Sequence, residues 1–197
     1  MWNATFIRGV ANGDLDPDFY GDYNLQDAIY CGRLGQLWQQ LANNDTIESN
    51  LTVFASARSS GYLACASTIF KTYNIRDNGE SEYGVIKQSA VTKYVNYIET
   101  KPYYMLIVTY PCLKLWSYLT NELWTIVQNT TTNPYKAWVH TNKGSRSAIR
   151  MATQIDKWSI KYNWTEALDL FRMGITYEAN FFDQAGKQTQ SLWLKDT

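Results

Sequence analysis

The 197-residue chain is poor in histidine, proline, cysteine and unbalanced charge: one His, 4 Pro, 3 Cys, and 18 Lys+Arg against 18 Asp+Glu. Each shortage narrows the field. With His140 as the lone histidine, a carboxylate-bridged di-iron site is disfavoured, because helical bundles build it with a Glu-x-x-His pair from each of two helices. Ala137 stands three residues before His140, which reads as an ordinary structural or surface residue. Cys31, Cys65 and Cys112 show no CxxC and no zinc-ligand spacing, and an odd number allows at most one bridge with one thiol left over. No metal is expected. Zero formal net charge removes the electrostatic case for nucleic-acid or anionic-membrane partners. No apolar run approaches the roughly 20 residues of a membrane span. The opening segment, with Arg8, Asp14, Asp16 and Asp18, holds no signal-peptide stretch. HExxH, GxSxG and phosphate-cradling Gly-rich strings are missing too. These exclusions leave a soluble single domain spanning residues 1–197.

What is abundant is aromatic: 15 Tyr, 8 Trp and 7 Phe. Tyr and Trp pair an apolar ring with a polar handle and suit the wall of a pocket for a flat ligand. The scarcity of proline fits helix nearly throughout. Gly13-Asp14 and Asp16-Pro17 mark a turn, after which Asp22 is placed to cap a helix to about Ala42; no helix is assigned before Gly13. Further helices are expected over about 46–72, 83–100, 102–128 with a kink at Pro111, Pro134 to Thr141, 146–161 and 163–190, with a polar loop at 74–82. The class is all-α.

Three reactive residues fall on apolar helical stripes. Glu178 lies within Trp164, Leu168, Phe171, Ile175, Phe182 and Ala185; Asp27 lies within Tyr23, Tyr30, Leu34, Trp38 and Leu41; Cys112, directly after Pro111, lies within Tyr104, Val108, Leu115 and Leu119. A buried cysteine is most often a small hydrophobe. Carboxylates differ, because an ionised acid in apolar surroundings is costly unless paired. Two of them on interior stripes are consistent with a polar cavity or with a structural hydrogen-bond network, and spacing alone leaves both open.

Five Asn-x-Ser/Thr sequons, at Asn3, Asn44, Asn50, Asn129 and Asn163, fall at expected loops, helix ends or the terminus. One interpretation is a secreted glycoprotein whose signal has been removed; the other is that Asn and Thr gather at helix ends as caps. An extracellular location is favoured slightly over a cytoplasmic one.

Five segments in order carry a resemblance. Asn12–Tyr30 (NGDLDPDFYGDYNLQDAIY), Thr92–Ile98 (TKYVNYI), Tyr110–Trp116 (YPCLKLW), Asn133–Val139 (NPYKAWV) and Phe171–Phe182 resemble successive motifs of the TenA-type proteins, the thiaminase II family. The resemblance covers nearly the whole chain and implies a haem-oxygenase-like helical bundle. It also implies hydrolysis of aminopyrimidines related to thiamine, without cofactor, in a homo-oligomer, a tetramer in this family. By resemblance Cys112 is the nucleophile and Glu178 the acid/base carboxylate, while Asp27 holds the pyrimidine's amino edge. Tyr30, Tyr94, Trp116, Tyr135 and Phe181 match pocket positions. At Trp116 the family usually has tyrosine; indole has one donor and no acceptor and fills more space. That change, with the sequons, supports an alternative: a secreted, non-catalytic binder of a small aromatic or pigment molecule. Tyr23, Trp38, Trp164 and Phe171 read as core.

Overall fold

The computed structural model describes residues 2–75 and 88–185. Among them are α1 (Thr5–Asn12), α2 (Pro17–Ala42), α3 (Ser49–Thr72), α4 (Ser89–Glu99), α5 (Met105–Val127), α6 (Lys136–Asn142), α7 (Arg146–Lys157) and α8 (Trp164–Gln184), with short 3-10 turns at Pro102–Tyr104 and Ser159–Lys161. No strand occurs among the described residues, so the all-α expectation holds. The expected polar loop beyond residue 75, the start of the 83–100 helix and the last helix beyond residue 185 lie outside the described residues.

Two helix starts differ from the sequence expectation. α1 precedes Gly13; its Phe6, Ile7 and Val10 are fully buried. It stops where Gly13 turns left-handed at φ 81° and the amides of Gly13, Asp14 and Leu15 all converge on the Gly9 carbonyl. α2 starts at Pro17 rather than after Asp22. Asp16 caps it by accepting from the Asp18 amide at 2.8 Å, and proline suits a first helical position because that N–H is unpaired anyway. Asp22 therefore lies inside the helix and is buried.

The described residues pack as two units, 2–20 with 100–185 and 21–75 with 88–99. In the second, α2 has a helix on either side. α3 runs antiparallel to it: Cys31 meets Cys65, and Ser59 donates to Gln39 at 3.2 Å. α4 runs parallel: Gln88 bonds Asp22 and Gln26, the Tyr30 and Tyr94 rings stack at 5.2 Å, and Arg33 pairs with Glu99 at 3.6 Å. The α2 stripe is as expected, with Tyr23, Tyr30, Leu34, Trp38 and Leu41 all buried.

In the first unit α5 is central and continues as one helix through Pro111. Proline cannot donate to the Ile107 carbonyl, yet the surrounding turns hold. α8 lies beside α5 in parallel: Phe171 meets Tyr110 at 6.1 Å between ring centroids, Gly174 abuts Val108 and Pro111, and Phe182 meets Trp116 at 5.6 Å. The α8 stripe needs correction here. Trp164, Leu168 and Ile175 are 55%, 48% and 40% exposed, and Phe171 is half-buried, so the first half of that stripe is not core. The buried face is Ala167, Leu170, Gly174, Glu178, Phe181 and Phe182. Small residues made this face invisible to an apolar count: a Cβ on Gly174 would lie 2.7 Å from the Val108 carbonyl oxygen.

Candidate active site

On α5, Cys112 stands one turn after Val108 and one turn before Trp116; on α8, Glu178 stands one turn after Gly174 and one turn before Phe182. Because Gly174 abuts Val108 and Pro111 while Phe182 meets Trp116, the two reactive residues fall between these contacts on facing stripes. Cys112 is 7% exposed and Glu178 4%. Gly174 lets the helix backbones approach closely at this level, and Pro111 supplies a rigid ring for α8 to rest on. Both side chains are thereby largely shielded from bulk water.

Below them lies a continuous cluster of rings. Trp116 is 5.3 Å from Trp138 and 5.6 Å from Phe182; Phe6 is 5.9 Å from Trp138; Tyr20 lies 4.9 Å from Tyr135 and 5.9 Å from Trp138; Phe181 meets Phe182 at 6.5 Å. Each pair contributes about 0.5–1.5 kcal/mol beyond simple burial. Trp116, Tyr135 and Phe181, three of the expected pocket residues, thus belong to one aromatic cluster. The Tyr135 hydroxyl donates to the Leu15 carbonyl, and burial, with Asp16 and Asp14 near, pushes its pKa up. It is a neutral donor already committed to the backbone. Tyr20, Trp138 and Phe6 complete the cluster and were not singled out from sequence, although Tyr20 and Trp138 lie inside the motif segments.

In the other unit stand Asp27, Tyr30 and Tyr94. Tyr30 and Tyr94 are buried and stacked. Burial pushes the Asp27 carboxyl up to about 7, so near neutrality it exchanges a proton readily. Asp22, also on α2, is raised to about 6 by burial, offset in part by hydrogen bonds from Gln88 and Gln26. Asp27 also has two sulfur neighbours that sequence did not connect: one ligand atom each from Asp27, Cys31 and Cys65 lie within 4.8 Å of one another. The Cys31 and Cys65 sulfurs are 3.5 Å apart, too far for a bond, so they form no disulfide.

A separate apolar groove of about 290 Å³ opens beside the first half of α8, lined by residues such as Ile107, Tyr110, Ile155, Trp164 and Phe171. Neither Cys112 nor Glu178 lines it. His140 is exposed beside Trp124, as a surface histidine should be. Of the sequon asparagines, Asn3, Asn50, Asn129 and Asn163 are exposed and Asn44 is half-buried. Two act as local fasteners: Asn163 caps α8 by accepting from the Thr165 and Glu166 amides, and Asn44 accepts from Thr46. Asn50 sits in the first turn of α3, at a helix end.

No family profile matches the chain, and no curated protein matches it in sequence. Among solved structures it is similar to a TenA family transcription regulator from Silicibacter sp. TM1040, with a TM-score of 0.77 and 15% identity over 93% of this chain and 88% of the other. The chain therefore has the TenA-type, haem-oxygenase-like all-α fold.

Proposed function

We propose that the protein hydrolyses aminopyrimidines related to thiamine, with Cys112 as nucleophile. The observation that carries this is the pairing of two enclosed reactive groups, Cys112 and Glu178, on facing stripes of α5 and α8. The likeness of the fold to a TenA family structure is the second support.

The chemistry follows from the residue types. The Cys112 thiolate adds to a ring carbon of the pyrimidine, which breaks aromaticity and places negative charge on ring nitrogen; Glu178 donates a proton there. Electrons returning through the ring expel the amine from the exocyclic methylene, and the proton on the ring nitrogen ends on the departing amine nitrogen. Water then adds to the methylene and gives its proton to the Glu178 carboxylate. Elimination of the thiolate restores the aromatic ring and releases the hydroxymethyl pyrimidine, so the net change is amine out and hydroxyl in. Trp116, Tyr135 and Phe181, in the same unit as Cys112 and Glu178, contribute aromatic surface, with Tyr135 acting through its ring because its hydroxyl is bound to Leu15; the family resemblance assigns the amino edge of the ring to Asp27 and further ring contacts to Tyr30 and Tyr94. No metal or organic cofactor enters any step.

The test is direct. Purified protein given an aminomethyl aminopyrimidine should release the hydroxymethyl product, and Glu178→Gln should slow that release by about 100-fold or more. Absence of release by the wild type, or an undiminished rate in Glu178→Gln, would overturn the assignment.

A further inference from the structure

Three ligand-bearing side chains converge where α2 and α3 pack, and the hydrolytic chemistry uses only one of them. Asp27 and Cys31 are four residues apart on α2 and so share a face; Cys65 reaches the same point from α3. Two thiolates on one tetrahedral zinc, each about 2.3 Å from it, stand about 3.8 Å apart. The observed 3.5 Å between the sulfurs is close to that and far from a covalent bond. A carboxylate oxygen within 4.8 Å of both sulfurs supplies the third corner, and Asp27 and Cys65 keep partial solvent access by which an ion can enter.

The soft sulfur pair favours a thiophilic ion over magnesium or calcium, which take all-oxygen sets.

We propose that Asp27, Cys31 and Cys65 form a binding site for a zinc-like divalent cation, tetrahedral, with the fourth position open to water. Binding displaces the two thiol protons, so affinity rises with pH. Asp27 is shared with the proposed substrate contact, so ion and aminopyrimidine would compete for it. The site itself stands on α2 and α3 alone, and its test uses no substrate.

Reduced protein, with no oxidant present, is titrated with Co²⁺. One equivalent should bind with a thiolate-to-metal charge-transfer band and the visible bands of tetrahedral cobalt, and Zn²⁺ should displace it. Zn²⁺ should also protect two of the three cysteines from a thiol reagent, and a chelator should reverse this. Cys31→Ser and Cys65→Ser should each weaken binding by at least about 100-fold, and Asp27→Asn by about 10-fold or more. Cys112→Ser should bind as the wild type does, even though it removes the proposed nucleophile, so failure of the hydrolase assignment cannot mimic failure of this one. Far-ultraviolet circular dichroism confirms that each variant is folded. Absence of the charge-transfer band in reduced wild type, or its persistence in folded Cys31→Ser, would overturn the site. So would protein that refuses the ion when reduced and instead closes a Cys31–Cys65 disulfide in air.

Discussion

Replacing Gly174 by alanine puts a methyl group where α8 touches α5. The new carbon would lie 2.7 Å from the Val108 carbonyl oxygen and 2.8 Å from the Pro111 ring, and ordinary contact begins near 3.4 Å. The helices must part by about 0.7 Å, because neither a helical carbonyl nor a proline ring can swing aside. Such overpacking costs about 1–3 kcal/mol, here near the upper end, against about 1 kcal/mol that alanine returns in helix propensity. The net expectation is a loss of about 2 kcal/mol. Gly61→Ala is the matched control: Gly61 lies inside α3, is exposed and has nothing within 4 Å of its added carbon, so only the propensity gain of about 0.5–1 kcal/mol remains. Urea titrations followed by circular dichroism measure both. Glu178 is one turn beyond Gly174, so parting the helices also carries it away from Cys112, and turnover should fall by about 10-fold to 100-fold in Gly174→Ala alone. A Gly174→Ala protein as stable as the wild type would refute the close packing from which the site is built.

Other expectations follow from single side chains. The Asp27 carboxyl, pushed up by burial to about 7, lies well above the ordinary aspartate value near 3.8, so the folded state keeps a proton the unfolded chain has lost, and stability falls as pH rises from about 4 to 7 and then levels. Asp27→Asn should flatten most of that slope and be more stable at pH 8 by on the order of 2 kcal/mol, leaving the part due to Asp22, which ends near pH 6; urea midpoints from pH 4 to 8 that keep the full slope would contradict this. Tyr135→Phe removes the donor to the buried Leu15 carbonyl and should cost about 1–2 kcal/mol in a urea titration, while kcat/KM changes less than about twofold. A larger kinetic loss would mean that the hydroxyl serves the ligand. Asn163→Ala removes the α8 cap and should cost about 1 kcal/mol, whereas Asn163→Asp, which keeps the accepting oxygen, should restore it.

Much of this was legible from residue spacing, and the exceptions share a cause. The α2 stripe was visible because large apolar side chains carry it; of the α5 stripe Val108, Cys112 and Leu119 are buried, whereas Leu115 is half-buried and Tyr104 lies half-buried in the preceding 3-10 turn. The α8 face was misphased because its contact with α5 is made by Ala167 and Gly174, while its conspicuous apolar residues Trp164, Leu168 and Ile175 stay exposed. Periodicity weighs size, and a close helix crossing is made by its lack. α1 was missed because it is 8 residues long and ends on a glycine that reads as turn. The start of α2 moved because an Asp-Pro pair signals a turn and a capped helix start equally well. Cys31 and Cys65 are 34 residues apart with no motif between them, so only the antiparallel packing of α2 and α3 brings their sulfurs to Asp27. The ring cluster around Trp116 likewise depends on α1 and α6 arriving at α5, which no local pattern announces.

In the proposed reaction the Cys112 sulfur is the atom that attacks. Turnover of an aminomethyl aminopyrimidine by Cys112→Ala beside the wild type, both shown to be folded, tests this. The wild type should release hydroxymethyl pyrimidine and the variant should be at least about 1,000-fold slower; equal rates in the two proteins would rule out attack by Cys112.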